Sequence, residues 1–270
     1  MILESYSIHP RRDAGQNFLL DENVARRIVD ASKAGPGTVV EIGPGLGMLT
    51  EYLLERADPV VGIEVDGRLC KFLSERFKEA SNLILINADF LGLDIEQLSE
   101  YGGKFKVVSN LPYSISKPAI SKILNLRDCV ESAVLTVQQE VARRILASAG
   151  TREYGVMTVM VAYWARAESL FNVGSRSFFP SPKVNSTTIR LTLHHYPPLK
   201  ACDERLFRSV VKGAFSQRRK MLKNSLAASI KLDTDKVSVL EKESGIDLKR
   251  RGETLSVREF VHLTNTLSGL

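Results

Sequence analysis

The chain has 270 residues, of which 44% are hydrophobic and 25% are charged, as in an ordinary globular protein of one or two domains. No apolar run reaches the ~18 residues of a membrane span, and the N-terminal sequence MILESYSIHPRRDAGQ lacks the apolar core of a secretory signal. The three cysteines are far apart, and no Cys/His spacing resembles a metal site. We therefore expect a cytoplasmic protein without a disulfide framework, membrane span or bound metal.

The net charge of +6 is unevenly distributed along the chain. Residues 1–194 carry 22 basic and 22 acidic side chains, whereas residues 195–270 carry 15 basic and 9 acidic ones. All of the positive excess therefore lies in the last quarter, which favours a polyanionic partner for that region. A solvated helical surface would have the same composition, so charge alone leaves both interpretations open.

Short apolar runs alternate with amphipathic stretches in the first 195 residues. The predicted strands are Thr38–Ile42, Pro59–Glu64, Leu83–Asn87, Phe105–Ser109, Ser132–Val137 and Asn185–Leu193. The predicted helices between them are Glu22–Ala34, Leu46–Arg56, Gly67–Phe77 and Lys117–Leu124. Continuously apolar strands that alternate with helices predict a Rossmann-like α/β domain with a mostly parallel sheet. In such a domain, ligands bind beyond the carboxyl ends of the strands.

The pattern changes after the sequence HHYPP at residues 194–198. Strand signals stop there, and helical periodicity predicts helices at Glu204–Ala214, Arg219–Ile230, Asp235–Ser244 and Ser256–Leu267. Ser256 and Glu259 form a capping-box pattern at the start of the last helix. We therefore predict two domains, residues 1–195 and a smaller all-helical domain of residues 196–270.

A glycine-rich segment, 41-EIGPGLG-47, follows the first predicted strand. Gly43 and Gly45 allow a tight turn and close approach of the backbone to a ligand. The spacing is not the dinucleotide fingerprint, because Met48 stands where that motif has glycine or alanine. A plain strand-to-helix turn would explain the segment equally well if it stood alone.

Acidic residues stand at the tips of the next two strands. Glu64 is well placed to accept hydrogen bonds from both ribose hydroxyls of a nucleoside. Asp89 can accept from an adenine amino group, with Phe90 packed nearby. Each acid alone is more often a turn or helix-cap residue. Both together, after a glycine loop, predict an adenosine-bearing ligand.

The fourth of these strands ends in 110-NLPY-113. The side-chain oxygen of Asn110 and the carbonyl of Pro112 could accept from a planar ring's amino group, while Tyr113 stacks on the ring. No hydride-transfer residue is present at this tip, which together with Met48 disfavours a nicotinamide oxidoreductase. A glycine loop, Glu, Asp and Asn-Pro-Tyr on successive tips are typical of an S-adenosylmethionine-dependent amino-methyltransferase.

Over nearly its whole length the sequence resembles the ribosomal RNA adenine N6-dimethyltransferases, the KsgA/Dim group. The resemblance is carried by 15-GQNFLLD-21, 41-EIGPGLG-47, 63-IEVD-66, 87-NAD-89, 110-NLPY-113, 178-FFPSPKVNS-186 and 215-FSQRRKMLKNSL-226. It implies a class I methyltransferase fold and a cofactor site lined by Asn17, Leu19, Gly43, Glu64, Asp89 and Asn110. It also implies that residues 16–19 form a clasp over the cofactor, and that Phe179 offers the target base another aromatic face.

The basic segment 215–226 is predicted to be an RNA-binding helix. Arg219 and Lys223 would share one face, with Arg218 and Lys220 nearby. The side chains predicted to pack inward are Phe215, Met221, Leu222 and Leu226. An amphipathic helix with a basic exposed side is an equally good interpretation without the resemblance. Lys183 in the loop before the last strand is a further candidate for RNA contact.

The resemblance implies dimethylation of two neighbouring adenosines in a loop near the 3′ end of small-subunit (16S) ribosomal RNA. The expected substrate is that RNA or an immature 30S particle, and the expected enzyme is a monomer. One alternative is an Erm-like methyltransferase of 23S ribosomal RNA, which 178-FFP-180 and the basic segment disfavour. The other is a non-catalytic RNA-binding assembly factor, which the intact strand-tip residues disfavour.

Overall fold

The computed structural model describes residues 16–94 and 103–270; Gly15, the first residue of the motif 15-GQNFLLD-21, lies outside them. Two compact units are formed. The first contains the described residues up to Ala142 together with Arg166–Leu193, and the second contains Arg143–Ala165 and His194–Leu270. The predicted division between residues 195 and 196 lies beside one of these boundaries. Residues 143–165, which the prediction assigned to the first domain, pack instead with the second unit.

The first unit is built on a sheet of seven described strands. In chain order these are β2 (Val39–Ile42), β3 (Val60–Glu64), β4 (Leu83–Asn87), β5 (Phe105–Asn110), β6 (Val130–Gln138), β7 (Ala165–Val173) and β9 (Ser186–Leu193). Their order across the sheet is β4-β3-β2-β5-β6-β9-β7. Strands β2 to β6 pair in parallel, and β9 runs antiparallel to β6. The carboxyl ends of β2, β3, β4 and β5 therefore meet at one edge of the sheet.

A separate two-stranded sheet pairs β1 (Phe18–Leu19) with β8 (Phe178–Phe179). The described helices of this part of the chain are α1 (Glu22–Ser32), α2 (Met48–Leu54), α3 (Gly67–Arg76), α4 (Ser116–Asn125) and α5 (Gln139–Ile145). Local side chains fix where two of them begin: Asp21 accepts from the backbone N–H of Val24, and Asp66 accepts from that of Arg68. These are ordinary N-caps, which explains why the predicted starts of α1 and α3 agree with the structure.

The main core of the first unit lies between the sheet and helices α1 and α2. All residues of β2 and β3 are buried, as expected for strands covered on both faces. Helix α1 contributes Ala25, Ile28 and Val29, each fully buried. Burial of one such aliphatic side chain contributes roughly 1.5–3 kcal/mol. This packing holds the strand tips at fixed positions relative to one another.

The second unit contains helices α6 (Val156–Trp164), α7 (Glu204–Ser216), α8 (Leu222–Ile230), α9 (Thr234–Ser244) and α10 (Val257–Ser268). Its core contains an aromatic group: Tyr163 packs on Phe207 with ring centroids 4.3 Å apart, and Trp164 and Phe260 are fully buried. The capping box predicted for the last helix is present, with Ser256 as the N-cap. The predicted Rossmann-like domain with a smaller helical C-terminal region is confirmed. No helix of residues 16–94 or 103–270 is long and apolar enough to cross a bilayer.

The predicted basic helix is wrong in its first turn. Helix α7 ends at Ser216 and α8 begins only at Leu222, so residues 217–220 form a turn. Arg219 and Lys223 therefore do not share a face of one helix. Leu222 is buried as predicted, but Met221, which was expected to pack inward, is 44% exposed.

Candidate active site

A cavity of about 320 Å³ opens at the carboxyl edge of the sheet, within the first unit. Its walls come from β1, the tips of β2, β3 and β5, and the segments after β4 and β5. Every residue predicted to hold the cofactor lines it: Asn17, Leu19, Gly43, Gly45, Glu64, Asp89, Phe90 and Asn110. Pro112 and Tyr113, predicted for the target base, also belong to the lining, whereas Phe179 does not.

The glycine loop after β2 adopts a conformation that only glycine takes easily. Gly43, Gly45 and Gly47 have φ angles of +66°, +61° and +81°. A side-chain carbon on Gly45 would lie 3.0 Å from the ring of Phe18, so the loop and strand β1 are in close contact. The backbone of this loop forms a wall of the cavity, and a side chain at Gly45 would displace the ring of Phe18.

Glu64 at the tip of β3 is tied to the glycine loop. Its Oε2 accepts from the backbone N–H of Gly45 at 3.1 Å, and its Oε1 accepts from that of Asp66 at 3.0 Å. The residue is 4% exposed, and burial raises its pKa while backbone hydrogen bonds from Asp66, Gly45 and Val65 oppose that rise. A carboxylate offers about four acceptor sites, so Glu64 retains capacity for a ribose hydroxyl.

Glu41 is a site residue that the sequence reasoning missed. It is 1% exposed and lines the cavity from within β2, and it accepts a hydrogen bond of 2.6 Å from the hydroxyl of Thr50. Burial raises its pKa to about 8, and the nearby Glu64 carboxylate adds to the rise. The available signal was a single acid inside the otherwise apolar run VVEI. At neutral pH this carboxyl is therefore mostly protonated.

The segment after β4 is held in place by a lysine of helix α4. Asp89 is exposed, and its Oδ1 accepts from the N–H of Leu91 at 2.9 Å. Nζ of Lys122 donates to the carbonyls of Leu91 and Leu93 at 3.0 and 2.5 Å. The same ammonium lies 5.2 Å from the ring centroid of Phe90, within cation–π range. Asp89 and Phe90 are therefore presented by a segment whose backbone is fixed.

Asn110 is the last residue of β5, and the nitrogen of its side-chain amide makes a hydrogen bond. Nδ2 donates to the carbonyl of Asn17 at 3.1 Å. Oδ1 is buried and has no donor among the described residues. An unsatisfied buried acceptor costs about 1–3 kcal/mol, so such an atom in a cavity wall is suited to a ligand's N–H group.

The carbonyl of Pro112 is already engaged within the protein. It accepts from the N–H of Ile115 and from the hydroxyl of Ser116, both at 3.1 Å. A carbonyl oxygen has two lone pairs, so these bonds compete with the predicted acceptance from an amino group. Of the two predicted acceptors, Asn110 is the one with free capacity.

Tyr113 is fixed by a hydrogen bond at its far end. Its hydroxyl and that of Ser186, the first residue of β9, lie 2.8 Å apart. Burial raises the pKa of Tyr113, so the phenol remains neutral at physiological pH. The ring therefore offers the cavity an uncharged face with a defined orientation.

The residues predicted as an N-terminal clasp form strand β1 beside β8. Phe18 pairs with Phe179 and Leu19 with Phe178 in antiparallel register. Phe178 is buried in the main core, as one of the two phenylalanines was expected to be, whereas Phe179 is 45% exposed. The exposed aromatic ring of Phe179 therefore lies on β8, the strand that pairs with the cavity-lining strand β1.

The basic residues predicted for RNA contact differ in their surroundings. Arg218 donates to the carbonyls of Arg152 and Tyr154 and lies 3.4 Å from the Glu253 carboxylate, so it ties the turn to its own unit. The other predicted side chains are wholly or partly exposed: Lys183 in the first unit and Arg219, Lys220 and Lys223 in the second.

The family model of ribosomal RNA adenine dimethylases matches residues 8–268 of the chain. The chain belongs to this family. A ribosomal RNA small subunit methyltransferase A from Clostridium botulinum is 40% identical over 267 residues, covering 98% of this chain and 97% of the relative. The protein of the same name from Geobacillus kaustophilus is 40% identical over 278 residues, covering 100% and 94%.

Two solved structures of methyltransferases have the same fold as this chain. A dimethyladenosine transferase from Plasmodium falciparum has a TM-score of 0.77 at 26% identity, covering 91% of this chain and 95% of that one. The 23S ribosomal RNA methyltransferase ErmE has a TM-score of 0.70 at 28% identity, covering 93% and 100%. The predicted enzyme class, a ribosomal RNA adenine dimethylase that uses S-adenosylmethionine, is confirmed.

The polar groups that line the cavity of this family member suit S-adenosylmethionine. The glycine loop brings its backbone into the cavity wall, and Glu64 retains acceptor capacity for a ribose hydroxyl. Asp89 and Phe90 offer the cavity an acceptor and an apolar face. Glu64 and the segment after β4 are therefore the parts of the wall that could hold the ribose and the adenine of the cofactor.

Proposed function

We propose that the chain transfers methyl groups to N6 of two adjacent adenosines in a loop near the 3′ end of small-subunit ribosomal RNA. It would act in the cytoplasm as a monomer, on the RNA or on an immature 30S particle. The observation that carries the chemistry is the buried Oδ1 of Asn110 in the wall of the cavity, for which residues 16–94 and 103–270 supply no hydrogen-bond donor. The relatives named small subunit methyltransferase A support the choice of RNA.

S-adenosylmethionine supplies a methyl group on a sulfonium, from which a neutral thioether leaves. The residues of the chain must make the adenine amine reactive, because its lone pair is delocalised into the ring. Oδ1 of Asn110 accepts a hydrogen bond from the amine and directs the nitrogen lone pair toward the methyl group, and the methylated ammonium then loses a proton to water. Positioning of this kind can lower a barrier by about 7–11 kcal/mol.

The target base must leave its stack to reach the cavity, because a paired N6 is inaccessible. Tyr113 supplies a stacking face worth roughly 1–3 kcal/mol, and we propose that the exposed ring of Phe179 supplies a second. We propose that Lys183, Arg219, Lys220 and Lys223 contact RNA phosphates. Arg218 contributes mainly by holding the turn that carries Arg219 and Lys220.

Mass spectrometry of ribosomal RNA after incubation with isotope-labelled S-adenosylmethionine tests this function. Unmodified small-subunit and large-subunit particles are offered separately to the purified protein. We expect two labelled methyl groups on each of two neighbouring adenosines of the small-subunit RNA. Label only on large-subunit RNA would replace the proposal with the Erm-like alternative. RNA binding without any transfer would replace it with the assembly-factor alternative.

The variant Asn110→Ala tests the assigned role of the amide. It should bind the cofactor within a few-fold of the wild-type Kd, while kcat falls by about 10²-fold or more, as for loss of one positioned hydrogen bond. Isothermal titration and single-turnover methylation measure the two quantities. Equal losses in binding and turnover would show that Asn110 holds the cofactor rather than the amine.

A further inference from the structure

The amide of Asn110 has its orientation set from outside its own strand. Its Nδ2 lies 3.1 Å from the carbonyl oxygen of Asn17. In the flipped orientation, Oδ1 would face that carbonyl oxygen at about the same separation, and two acceptors would oppose each other. The Asn17 carbonyl therefore keeps Nδ2 on its own side and leaves Oδ1 as the amide atom that has no donor within the described part of the chain.

The carbonyl of Asn17 is held in turn by the packing of the next residue. Phe18 is buried in a small apolar cluster with Leu69, Phe72 and Leu73. Its ring also lies against Gly45 of the glycine loop. A shift of strand β1 would expose this ring, so the hydrophobic cluster keeps the Asn17 carbonyl at its distance from Asn110.

Hydrogen bonds hold the other end of the same strand. The N–H of Leu20 donates to the carbonyl of Ser177 at 2.9 Å, and the Ser177 hydroxyl donates to Oδ2 of Asp21 at 3.0 Å. The second carboxylate oxygen of Asp21 accepts from the N–H of Val24 at the start of helix α1. Strand β1 is thus tied both to α1 and to the segment that leads into β8.

We propose that the Asn17 carbonyl is a positioning group for methyl transfer. It selects the amide orientation of Asn110 by accepting the hydrogen bond from Nδ2, a donor that an ionised aspartate at this position would lack. An ionised aspartate at position 110 would place a carboxylate oxygen against the carbonyl of Asn17. A protonated aspartate would restore the arrangement, since its O–H can donate to that carbonyl while its other oxygen faces the cavity. The kinetic part of this inference rests on the proposed function; the orientation itself does not.

Other titratable groups face the same cavity, and the effects of their titration must be distinguished from those of a carboxyl at position 110. They are Glu41 on β2, Glu64 on β3, Asp89 after β4 and Tyr113 after β5. The lining residues of the β1 segment, 16–19, contain no titratable side chain. Because the four groups are present in the wild type as well, each effect is measured against wild type and against Asn110→Ala at the same pH.

The first test is thermal unfolding of Asn110→Asp without ligand between pH 5.5 and pH 8.5. Burial beside a carbonyl raises the pKa of the introduced carboxyl in the folded state. The variant therefore loses stability as pH rises from the unfolded value through the folded one. We expect its Tm deficit against wild type to shrink by about 3 °C or more on acidification from pH 8 to pH 5.5. The deficit of Asn110→Ala should not change with pH.

The second test is methyl transfer by the same variants, with the cofactor Kd measured in parallel. The ratio of kcat for Asn110→Asp to wild type should rise by about tenfold or more from pH 8 to pH 6, because the protonated form increases in proportion. The ratio for Asn110→Ala should stay constant. A Tm deficit and a kcat ratio of Asn110→Asp that are both flat with pH would overturn the inference. Failure of the wild type to methylate any RNA would remove the proposed function alone, since the Tm comparison needs no substrate.

A pair of serine variants keeps the inference testable if Asn110→Asp does not fold. Ser177→Ala removes the hydroxyl's bond to the Asp21 carboxylate, whereas Ser181→Ala removes another serine hydroxyl bond of the same segment, to the backbone carbonyl of Ser175, which does not involve Asp21. We expect kcat to fall about fivefold in the first variant and to return toward wild type in Ser177→Thr. Cofactor Kd should change by less than kcat. Equal kcat values for Ser177→Ala and Ser181→Ala would show that the strand does not position the amide.

Discussion

The buried carboxyl of Glu41 makes the stability of the first unit depend on pH. Burial raises its pKa in the folded state to about 8, whereas an unfolded glutamate titrates near ~4.3. Between these values the folded state holds a proton that the unfolded state has lost. The free energy of unfolding therefore falls as pH rises, by about 1.4 kcal/mol per pH unit, until the folded pKa is reached.

The variant Glu41→Gln should remove this pH slope. A glutamine oxygen can still accept from the Thr50 hydroxyl, so the local hydrogen bond is retained. We expect the free energy of unfolding of the variant, relative to wild type, to increase by about 1.4 kcal/mol for each pH unit between 6 and 8. Urea unfolding at pH 6, 7 and 8 measures it. If the free energy of unfolding varied with pH in the same way in the two proteins, Glu41 would ionise in the folded state at ordinary acidic pH.

The strand-tip residues of the cavity could be predicted because each stands at the end of an apolar run. Gly43, Glu64 and Asn110 are located in this way to within a residue of a strand end. Glu41 could not be assigned in this way, since it lies inside a strand and its role depends on burial by distant parts of the chain. The engagement of the Pro112 carbonyl by Ser116 was also invisible, because it depends on how helix α4 begins.

Among the secondary-structure elements, the turn between α7 and α8 carries two adjacent arginines with different surroundings. Arg218 bonds two backbone carbonyls and Glu253 within the second unit, while the neighbouring Arg219 is exposed. A guanidinium that satisfies carbonyl oxygens holds a turn in place, whereas an exposed one is available to a polyanion.

Alanine variants of these two neighbouring arginines should therefore behave differently. Arg218→Ala should lower the free energy of unfolding by about 1 kcal/mol, a value reduced because its side chain is 48% exposed. Arg219→Ala should leave Tm unchanged and weaken binding of small-subunit RNA. Differential scanning calorimetry and filter binding compare the two. Equal Tm values for both variants would contradict the structural role of Arg218.

Helix starts could be predicted where a cap is encoded next to the helix, as at Asp21, Asp66 and Ser256. Elements without such local signals were missed. Helix α6 is apolar on all sides, so it has no amphipathic periodicity, and strand β7 carries charged residues within ARAESLFNV. Strands β1 and β8 have two residues each and exist only because they pair with each other.

On the scale of the whole molecule, the uneven charge predicts how RNA binding responds to salt. The last 76 residues hold the entire net charge of +6. Each phosphate neutralised by a basic side chain adds roughly 0.7–0.9 to the slope of log K against log salt concentration. The second unit should therefore dominate this slope.

The double variant Arg219→Ala with Lys220→Ala should reduce the salt slope by about 1–2. The control, Lys236→Ala with Lys242→Ala, removes the same charge from exposed positions on α9 and should leave the slope unchanged. Fluorescence anisotropy with a small-subunit RNA fragment from 50 to 300 mM salt gives both slopes. A similar reduction in both double variants would indicate non-specific attraction by net charge.

The register of β1 against β8 also bears on how the protein matures. The first unit is complete only when β1 has paired with β8, with Phe18 opposite Phe179, and when β9 lies between β6 and β7. Contacts between such distant parts of a sequence form late, because a long loop must close first. While the chain is being synthesised, the parallel strands can assemble well before the Asn17 carbonyl reaches Asn110. A nascent protein would therefore acquire its fold first and its competence for methylation only after residue 179 has emerged from the ribosome.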